Sequence, residues 1–356
     1  MMSPYPSWAL VIATYQRADV LRKSISVAIR QDPPPNEVIV VDASPDALES
    51  RQNISGLLAD RPDITLRYER ARVASITQQR NQGLDLAESE IVFLFDDDTF
   101  MYPDCARAIL EVYANDVRAE IAGVTTDAVD APPQQADLAG QAKRDAPTEK
   151  VGFSANPILR KLQLFIWREL LLMGADKFFV PYDSHYYRHP VSLPEYCSQV
   201  DLFFGFNMTY RRSFLEKERF EDAMLRYSPG EDVDLSYRVS RHGALVRTSR
   251  AKVHHYGSAS GRLRRFEVTA LRTLNQAYCV GKHGGRRAKV VFAVSIARQI
   301  IAESIKDMSQ SRLDFPQLRG TIFAARHTYR LLNASEYDRL ALFRKLQDEL
   351  LNRRGG

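Results

Sequence analysis

The stretch Ile91-Val92-Phe93-Leu94-Phe95, followed by Asp96-Asp97-Asp98, decides the fold. Five apolar residues bounded by charge predict a strand that is buried on both faces, since a strand with one wet face alternates apolar and polar residues. The three carboxylates then lie at its C-terminal end, the edge where open α/β sheets bind ligands. Because adjacent carboxylates repel one another, the triplet favours a compensating divalent cation such as Mg²⁺ or Mn²⁺. A solvated acidic turn is the alternative interpretation of the triplet by itself.

Composition limits the class of protein. The 356 residues exceed one average domain, so we expect one enlarged domain or a domain with an appendage. The net charge of +5 suits anionic partners such as nucleotides or a membrane surface, and no block of Lys and Arg indicates nucleic acid. Three widely separated cysteines argue against a disulfide framework and suit a reducing cytoplasm. The N-terminus lacks the pattern of a signal peptide, and the apolar runs are too short to span a bilayer.

Two earlier strands are predicted to end at the same edge as the triplet. Residues 8–13 form the first strand, which the loop Thr14-Tyr15-Gln16-Arg17 follows, and residues 37–41 form the second, which ends at Asp42. A strand, a helix and a second strand in close succession predict a right-handed parallel crossover. A helix over residues 75–87 then carries Arg80-Asn81-Gln82-Gly83-Leu84 into the strand before the triplet.

These four segments, in this order, resemble the family 2 glycosyltransferases, which have the nucleotide-sugar-binding GT-A fold. The resemblance implies a Rossmann-like α/β fold with a mixed, mostly parallel sheet flanked by helices, plus a C-terminal helical extension. The family usually has Pro before the Thr and Asn after the Tyr, where this chain has Ala13 and Gln16. Both positions lie in a loop that grips the base partly through its backbone, so we expect a modest adjustment of binding.

The resemblance also implies roles for the residues at the strand ends. Asp42 can accept the N–H of a nucleobase while Thr14 and Tyr15 close over the ring. Asp96 can accept from a ribose hydroxyl, and Asp98 is the expected metal ligand in the D-x-D pattern. The expected substrate-binding residues are Thr14, Tyr15, Arg17, Asp42, Arg80, Asp96, Asp97 and Asn207, with the donor fork of Arg80 suited to phosphate or ribose oxygens.

The second half of the site is predicted from two later segments. Gly205 lies in a turn that leads to a strand carrying Asn207, a candidate contact to the donor sugar or the acceptor; an ordinary turn Asn is the alternative. Glu231 and Asp232 precede an apolar helical stripe, so we expect them in a first helical turn, where the helix dipole lowers a carboxylate's pKa. Helix capping alone would explain them, but by the resemblance Asp232 is the general base, and Glu231 orients the acceptor or supports the loop.

The resemblance also implies a histidine after this helix that reaches the metal or the diphosphate, although most histidines on strands are structural. A predicted edge strand at residues 244–248 precedes His254 and His255, and the alternation of Ala251, Val253 and His255 selects His255, with His254 as the fallback. Residues 258–265 are a candidate lid over the donor, and Arg262, Arg264 and Arg265 are its candidate diphosphate contacts.

The rest of the chain is organised around these segments. We expect a catalytic domain over residues 1–265, in which 1–126 bind the nucleotide, 127–150 form a mobile loop and 151–265 hold the acceptor and base, followed by a helical region over 266–356. A broad apolar face in the C-terminal region is flanked by basic residues. This face is expected to pack on the rest of the protein or on a partner, and lying on an anionic membrane is the alternative. The apolar positions are Val290, Val291, Val294, Ala297, Ile300, Ile301 and Ile305.

The predicted function is an inverting, divalent-metal-dependent glycosyltransferase that uses a nucleoside-diphosphate sugar and a glycan or lipid-linked acceptor. It is expected in the cytoplasm, with peripheral membrane association left open. Nucleotidyl or phosphoryl transfer also uses strand-end carboxylates, but no Gly-rich, Lys-bearing phosphate loop follows the first strand. A non-catalytic nucleotide-sugar sensor is the third interpretation. The sequence leaves the oligomeric state, the sugar, the nucleotide and the linkage open.

Overall fold

The computed structural model describes residues 4–136, 157–166, 179–257 and 263–352. Parts of two sequence predictions fall outside these ranges: the mobile loop beyond residue 136 and the first five residues of the candidate lid. The strands are β1 Trp8–Thr14, β2 Glu37–Asp42, β3 Thr65–Arg70, β4 Ile91–Phe95, β5 Thr99–Met101, β6 Ile121–Ala128, β7 Cys197–Gln199, β8 Asn207–Arg211 and β9 Ala244–His255.

Helices precede or follow most of these strands, and the elements described after the last strand are all helices. They are α1 Ala18–Ala28, α2 Ala47–Leu57, α3 Ile76–Leu86, α4 Cys105–Asn115, α5 Pro157–Phe165, α6 Arg212–Leu215, α7 Glu231–Ser240, α8 Arg265–His283, α9 Arg286–Ser309, α10 Pro316–Asn333 and α11 Glu336–Asn352. A short 3₁₀ helix, Gln134–Ala136, follows β6.

The strands form one mixed sheet in the order β3-β2-β1-β4-β8-β6-β9-β5, with β7 also paired to β9. The first four strands of this order are parallel, and Thr14 of β1 stands opposite Asp42 of β2. Beyond β4 the pairings are antiparallel except for β6 with β9. The mixed, mostly parallel α/β sheet flanked by helices is confirmed: of the nine described strands, β5, β7 and β8 run against the other six.

The central strands are buried on both faces, as their apolar runs predict. Ile91, Phe93 and Phe95 of β4 belong to one apolar cluster, whereas Val92 and Leu94 belong to another. Residues of α1, α2 and α4 share the first cluster, and residues of α3 and α7 share the second. Helices therefore cover both sides of the sheet, which leaves the strand ends as the place for polar side chains.

Two boundaries differ from the sequence predictions. Strand β9 is one strand of 12 residues, and its pairing with β5, β6 and β7 makes it an interior strand rather than the predicted edge strand. In its middle, from Arg247 to Lys252, exposed polar side chains are interspersed with buried ones. In a sequence this pattern is typical of an edge strand. Strand β6 continues to Ala128, so the predicted loop does not begin at residue 127.

The chain divides into two compact units, which do not coincide with the predicted boundary at residue 265. The first unit comprises Met1–Arg144, Tyr187–Arg226 and Glu231–Gly261, and it contains the sheet. The second comprises Asp145–Tyr186, Tyr227–Gly230 and Arg262–Gly356, and it contains α5 and α8 to α11. Among the described residues, no helix is both long and apolar enough to cross a membrane.

Helix α9 does not bury its predicted face against the rest of the chain, and packing of that face on a partner stays a prediction. Its apolar positions Val290, Val294 and Ile301 are 59%, 49% and 52% exposed, so the face expected to pack on the rest of the protein points outward. The buried face of α9 includes Phe292 and Ile296, together with polar side chains.

Gly83 sets the distance between α3 and β1. A Cβ atom at Gly83 would overlap a γ-methyl group of Val11, whereas a Cβ at Gly56 of α2 would meet no atom within 4 Å. We expect Gly83→Ala to lower the free energy of unfolding by about 1–3 kcal/mol through overpacking. Gly56→Ala should raise it by about 0.4–1 kcal/mol, because it only restricts the unfolded chain. Urea unfolding measures both changes, and a neutral or stabilising Gly83→Ala would contradict the close packing.

Candidate active site

The predicted strand-end residues lie at one edge of the sheet. Strands β1, β2 and β4 are mutually parallel, so Thr14, Asp42 and the Asp96 to Asp98 triplet leave the sheet on the same side. Strand β8 runs antiparallel to β4 and pairs Asn207 with Phe95, so Asn207 enters the sheet beside the triplet. The edge therefore gathers residues that are far apart in the sequence.

Asp97 connects the triplet to the loop after β1. Its two oxygens accept hydrogen bonds from the Thr14 hydroxyl at 2.7 Å and from Arg17 Nη1 at 2.9 Å. Burial raises the pKa of Asp97 to about 7; Arg17 opposes this rise and the neighbouring Asp98 adds to it. In the structure Asp97 thus holds protein groups together, and its binding of substrate stays a prediction.

Asp42 is almost fully buried, and its oxygens are engaged by the protein. One accepts the Ser44 backbone N–H at 2.8 Å, and the other accepts the Tyr68 hydroxyl at 2.6 Å. A carboxylate has further lone pairs, so these bonds orient Asp42 without using its whole accepting capacity. Tyr15 lies in the neighbouring loop with 43% of its surface exposed, as a residue that stacks on a ligand would.

Gln79 is a structural part of this edge that sequence reasoning missed. Its side-chain amide donates to the carbonyl of Thr14 at 2.9 Å and to that of Val41 at 2.8 Å. It therefore ties the ends of β1 and β2 to α3. The sequence signal that could have identified Gln79 is its position directly before Arg80 on the predicted helix.

Asp96, Asp98 and His255 form a group that could hold a divalent metal ion. Ligand atoms of the three lie within 4.8 Å of one another. The His255 Nε2 atom is 3.2 Å from a carboxylate oxygen of Asp98 and 4.0 Å from one of Asp96. Two carboxylates and an imidazole suit Mn²⁺ or Mg²⁺. The sequence assigned Asp96 to the ribose, and the geometry adds it to the candidate metal ligands.

Local packing explains why His255 rather than His254 faces the carboxylates. The His255 ring stacks on Phe206, with 4.8 Å between ring centroids and 4° between planes. His254 is buried, and its Nδ1 atom lies 3.0 Å from the Val129 carbonyl. Phe206, which sequence reasoning left without a role, therefore orients the histidine.

Arg80 is buried and links the two halves of the edge. Its Nη2 atom donates to Asp96 at 2.7 Å and to the Gly205 carbonyl at 2.7 Å, and its Nη1 atom donates to Glu231 at 2.9 Å. The prediction assigned this fork to phosphate or ribose oxygens, but these donors are directed at protein groups. The observed role of Arg80 is to hold the triplet, the Gly205 turn and α7 together.

Glu231 and Asp232 begin α7, as predicted, but their pKa values shift against the dipole expectation. Burial raises the pKa of Glu231 to about 8, and repulsion from Asp232 adds to this rise. Burial also raises the pKa of Asp232, although the backbone N–H groups of Val233 and Gly205 donate to it at 2.8 Å and 2.6 Å. Desolvation and the repulsion within the pair therefore outweigh the helix dipole.

Asn207 turns its amide toward β6. The Nδ2 atom donates to the hydroxyl of Thr126 at 3.0 Å and to its carbonyl at 3.2 Å. The amide oxygen is buried and has no hydrogen-bond partner among the described residues. The predicted contact to sugar or acceptor stays a prediction, with that oxygen as its available atom.

Comparison with known proteins identifies a family pattern in the first half of the chain and related folds among solved structures. Residues 9–169 match the model of glycosyl transferase family 2, a range that contains Thr14, Asp42, Arg80 and the triplet. No protein of curated function matches the chain.

Three solved structures illustrate the similarity in fold. GalNAc-T7 with UDP, GalNAc and Mn²⁺ superposes with a TM-score of 0.54 at 13% identity, over 95% of this chain and 58% of that one. A mannosyltransferase from Pyrobaculum calidifontis, in complex with GDP-Man and Mn²⁺, gives 0.48 at 15% identity, over 99% and 87%. S. aureus TarS gives 0.44 at 13% identity, over 96% and 55%.

The chain thus spans little more than half the length of the GalNAc-T7 and TarS chains. At these identities the likeness concerns the fold alone, and the neighbours are GT-A glycosyltransferases. The family pattern in the first half of the chain and the fold seen in the structure therefore point to the same kind of protein. Residues 9–169 carry the pattern of glycosyl transferase family 2 on a GT-A fold.

Proposed function

We propose that the protein is an inverting, metal-dependent glycosyltransferase that moves a sugar from a nucleoside diphosphate to a hydroxyl of a glycan or lipid-linked acceptor. The reaction belongs to cell-surface polysaccharide synthesis, on the cytoplasmic side at the inner face of the plasma membrane. Residues 1–265 are the proposed catalytic part, with the nucleotide bound by residues 1–126 and the acceptor and base by 151–265.

One observation carries this proposal: the Arg80 guanidinium is hydrogen-bonded to both Asp96 and Glu231. Asp96 belongs to the candidate metal group, and Glu231 adjoins Asp232, the proposed base. A sugar transferase needs a cation at the departing diphosphate and a base at the attacking hydroxyl, close enough to act on one substrate. A single buried side chain that binds a residue of each group provides this proximity.

The donor side rests on Asp96, Asp98 and His255, which would hold the metal ion. When bound, Mn²⁺ or Mg²⁺ supplies positive charge that stabilises the diphosphate as the bond to the sugar breaks. Support comes from the family match over this segment and from the Mn²⁺ and UDP in the structure of GalNAc-T7, which shares the fold. Thr14, Tyr15 and Asp42 are the proposed contacts to the nucleoside.

The acceptor side rests on Asp232. Its carboxylate takes the proton of the acceptor hydroxyl while the oxygen attacks the anomeric carbon, on the face opposite the diphosphate. The bond from that carbon to the diphosphate breaks, and the nucleoside diphosphate leaves with the electron pair, so the configuration inverts. Asp232 is more accessible than the buried Glu231, which suits direct contact with the acceptor. Glu231 and Arg80 then position the base.

The first prediction separates the base from the metal ligand. Asp232→Asn should reduce transfer by about 10²–10⁴-fold, because an amide cannot accept the proton. It should leave Mn²⁺-dependent stabilisation by UDP, GDP or dTDP sugars intact in a thermal-shift assay. Asp98→Asn should lose that metal-dependent stabilisation. Equal loss of binding and transfer in Asp232→Asn removes it from the base role, and a wild-type protein with neither donor binding nor hydrolysis refutes the proposal.

The second prediction follows from the raised pKa values of the acidic pair. A carboxyl with a raised pKa is protonated at lower pH, so the base form of Asp232 accumulates as pH rises, and kcat/KM should increase with pH above the ordinary Asp pKa of 3.8. Glu231→Gln removes the repulsion within the pair, so the acid limb of the pH profile should move to lower pH. The control is Glu216→Gln, which neutralises an exposed carboxylate and should leave the limb in place. An unmoved limb in Glu231→Gln would contradict the assignment.

The third prediction concerns Arg80. Arg80→Met leaves Asp96 and Glu231 without their shared partner, so we expect a loss of about 3–5 kcal/mol in the free energy of unfolding, together with most transfer activity. The matched control is Arg107→Met, which removes exposed ion pairs with Asp104 and Asp32 and should leave the free energy of unfolding nearly unchanged. Urea unfolding gives both values. Equal losses in the two variants would show that Arg80 is not the link we describe.

A further inference from the structure

Helix α9 exposes apolar side chains where an ordinary surface helix exposes polar ones. Its outward face is apolar, with six side chains that are 40–66% exposed: Val290, Val291, Val294, Ile301, Ile305 and Met308. Its buried face includes Gln299, Glu303, Lys306 and Asp307. Scattered exposed apolar residues are normal, but a row of them along one helix marks a contact surface.

Hydrogen bonds within the second unit fix this orientation. Glu303 accepts from Arg272 of α8 at 2.7 Å. Asp307 accepts the backbone N–H groups of Gln317 and Leu318, at 2.9 Å and 3.0 Å, at the start of α10. Rotating α9 to bury its aliphatic row would break these bonds and expose the start of α10. The polar face is therefore held inward by specific partners, and the apolar row is left outward.

The charge around this row is positive. Arg286 and Arg287 are exposed in the first turn of α9, and Arg298 is half-buried beside the row. The acidic residues of α9 are Glu303 and Asp307, which are both on the buried face. Residues 263–352 contain 16 Lys and Arg against eight Asp and Glu, a net charge of +8 where the whole chain has +5. The surface of these helices thus carries the basic character of the protein.

Helix α5 of the same unit repeats this chemistry. Leu159, Leu162, Phe165 and Ile166 are exposed at helical spacing, and the sequence Pro157–Phe165 contains no acidic residue. A second acid-free apolar helix face in one unit is consistent with a surface that meets an apolar phase.

We infer that the exposed face of α9 binds the surface of an anionic lipid bilayer. The helix lies parallel to the membrane, its Val, Ile and Met side chains enter the boundary of headgroups and acyl chains, and Arg286 and Arg287 meet lipid phosphates. The 24 residues of α9 give a contact about 36 Å long. This inference concerns a surface outside the candidate active site and does not depend on the proposed function.

The test is vesicle cosedimentation of the full chain. Vesicles of phosphatidylcholine with 30 mol% phosphatidylglycerol are compared with vesicles of phosphatidylcholine alone. The wild type should sediment with the anionic vesicles, weakly with the neutral ones, and less at high salt. The double variant Val294→Glu with Ile301→Glu places two negative charges in the middle of the row. Its affinity for the anionic vesicles should fall by at least about tenfold.

The matched control adds the same charge to the same unit elsewhere. Leu313 and Tyr329 are 88% and 78% exposed and lie outside α9, so Leu313→Glu with Tyr329→Glu should bind much closer to the wild type. Equal weakening in both double variants, or a wild type that does not sediment with anionic vesicles, overturns the inference. So does a wild-type dimer that the α9 variant dissociates without any vesicle binding, because the row would then join two copies. The α9 variant should still be stabilised by a donor sugar in a thermal-shift assay. This measurement separates a loss of membrane binding from a failure of the proposed function.

Discussion

The candidate site depends on how its buried negative charge is balanced. In the described part of the chain, Asp96, Asp97, Asp98 and Glu231 pair with two guanidinium groups, those of Arg17 and Arg80, and Asp232 follows Glu231 directly. Five carboxylates against two cations leave an excess of negative charge, which adds to the burial that raises the pKa values of Asp97 and Glu231. Protons relieve the excess partly, and a divalent ion among Asp96, Asp98 and His255 would relieve it further. Metal affinity and protonation at this edge are therefore linked.

The sheet explains why these charges can be held so close. Apolar side chains on both faces of β1 and β4 fix the strands by packing, so their ends need not supply stability themselves. Gln16, in the loop after β1, has a φ of 53°, the left-handed region that suits Gly and Asn better than Gln. The family's usual Asn at this position therefore has a conformational reason besides any contact with the base. The chain tolerates Gln16 because its backbone N–H donates to the Ser44 hydroxyl at 2.6 Å.

The strands and their acidic ends could be predicted from sequence, because an apolar run bounded by charge is a local signal. Arg80 was found, but its partners were not, since contacts with Glu231 and Gly205 join residues more than a hundred positions apart. The dipole argument for α7 gave the wrong direction of pKa shift because a sequence does not report how deeply a helix start is buried. Strand β9 was divided and placed at an edge for a similar reason: polar residues in its middle obscured its pairing on both sides.

Helix α9 shows a more general limit of periodicity. A helical pattern identifies two faces, but it identifies the buried one only if the polar face has no partners inside the protein. Here Arg272 and the start of α10 supply those partners to Glu303 and Asp307, so the polar face can be buried at little cost. The apolar face is then released for contact with something outside the chain. The same residues that make α9 look like a core helix in sequence are therefore the ones that the fold makes available at its surface.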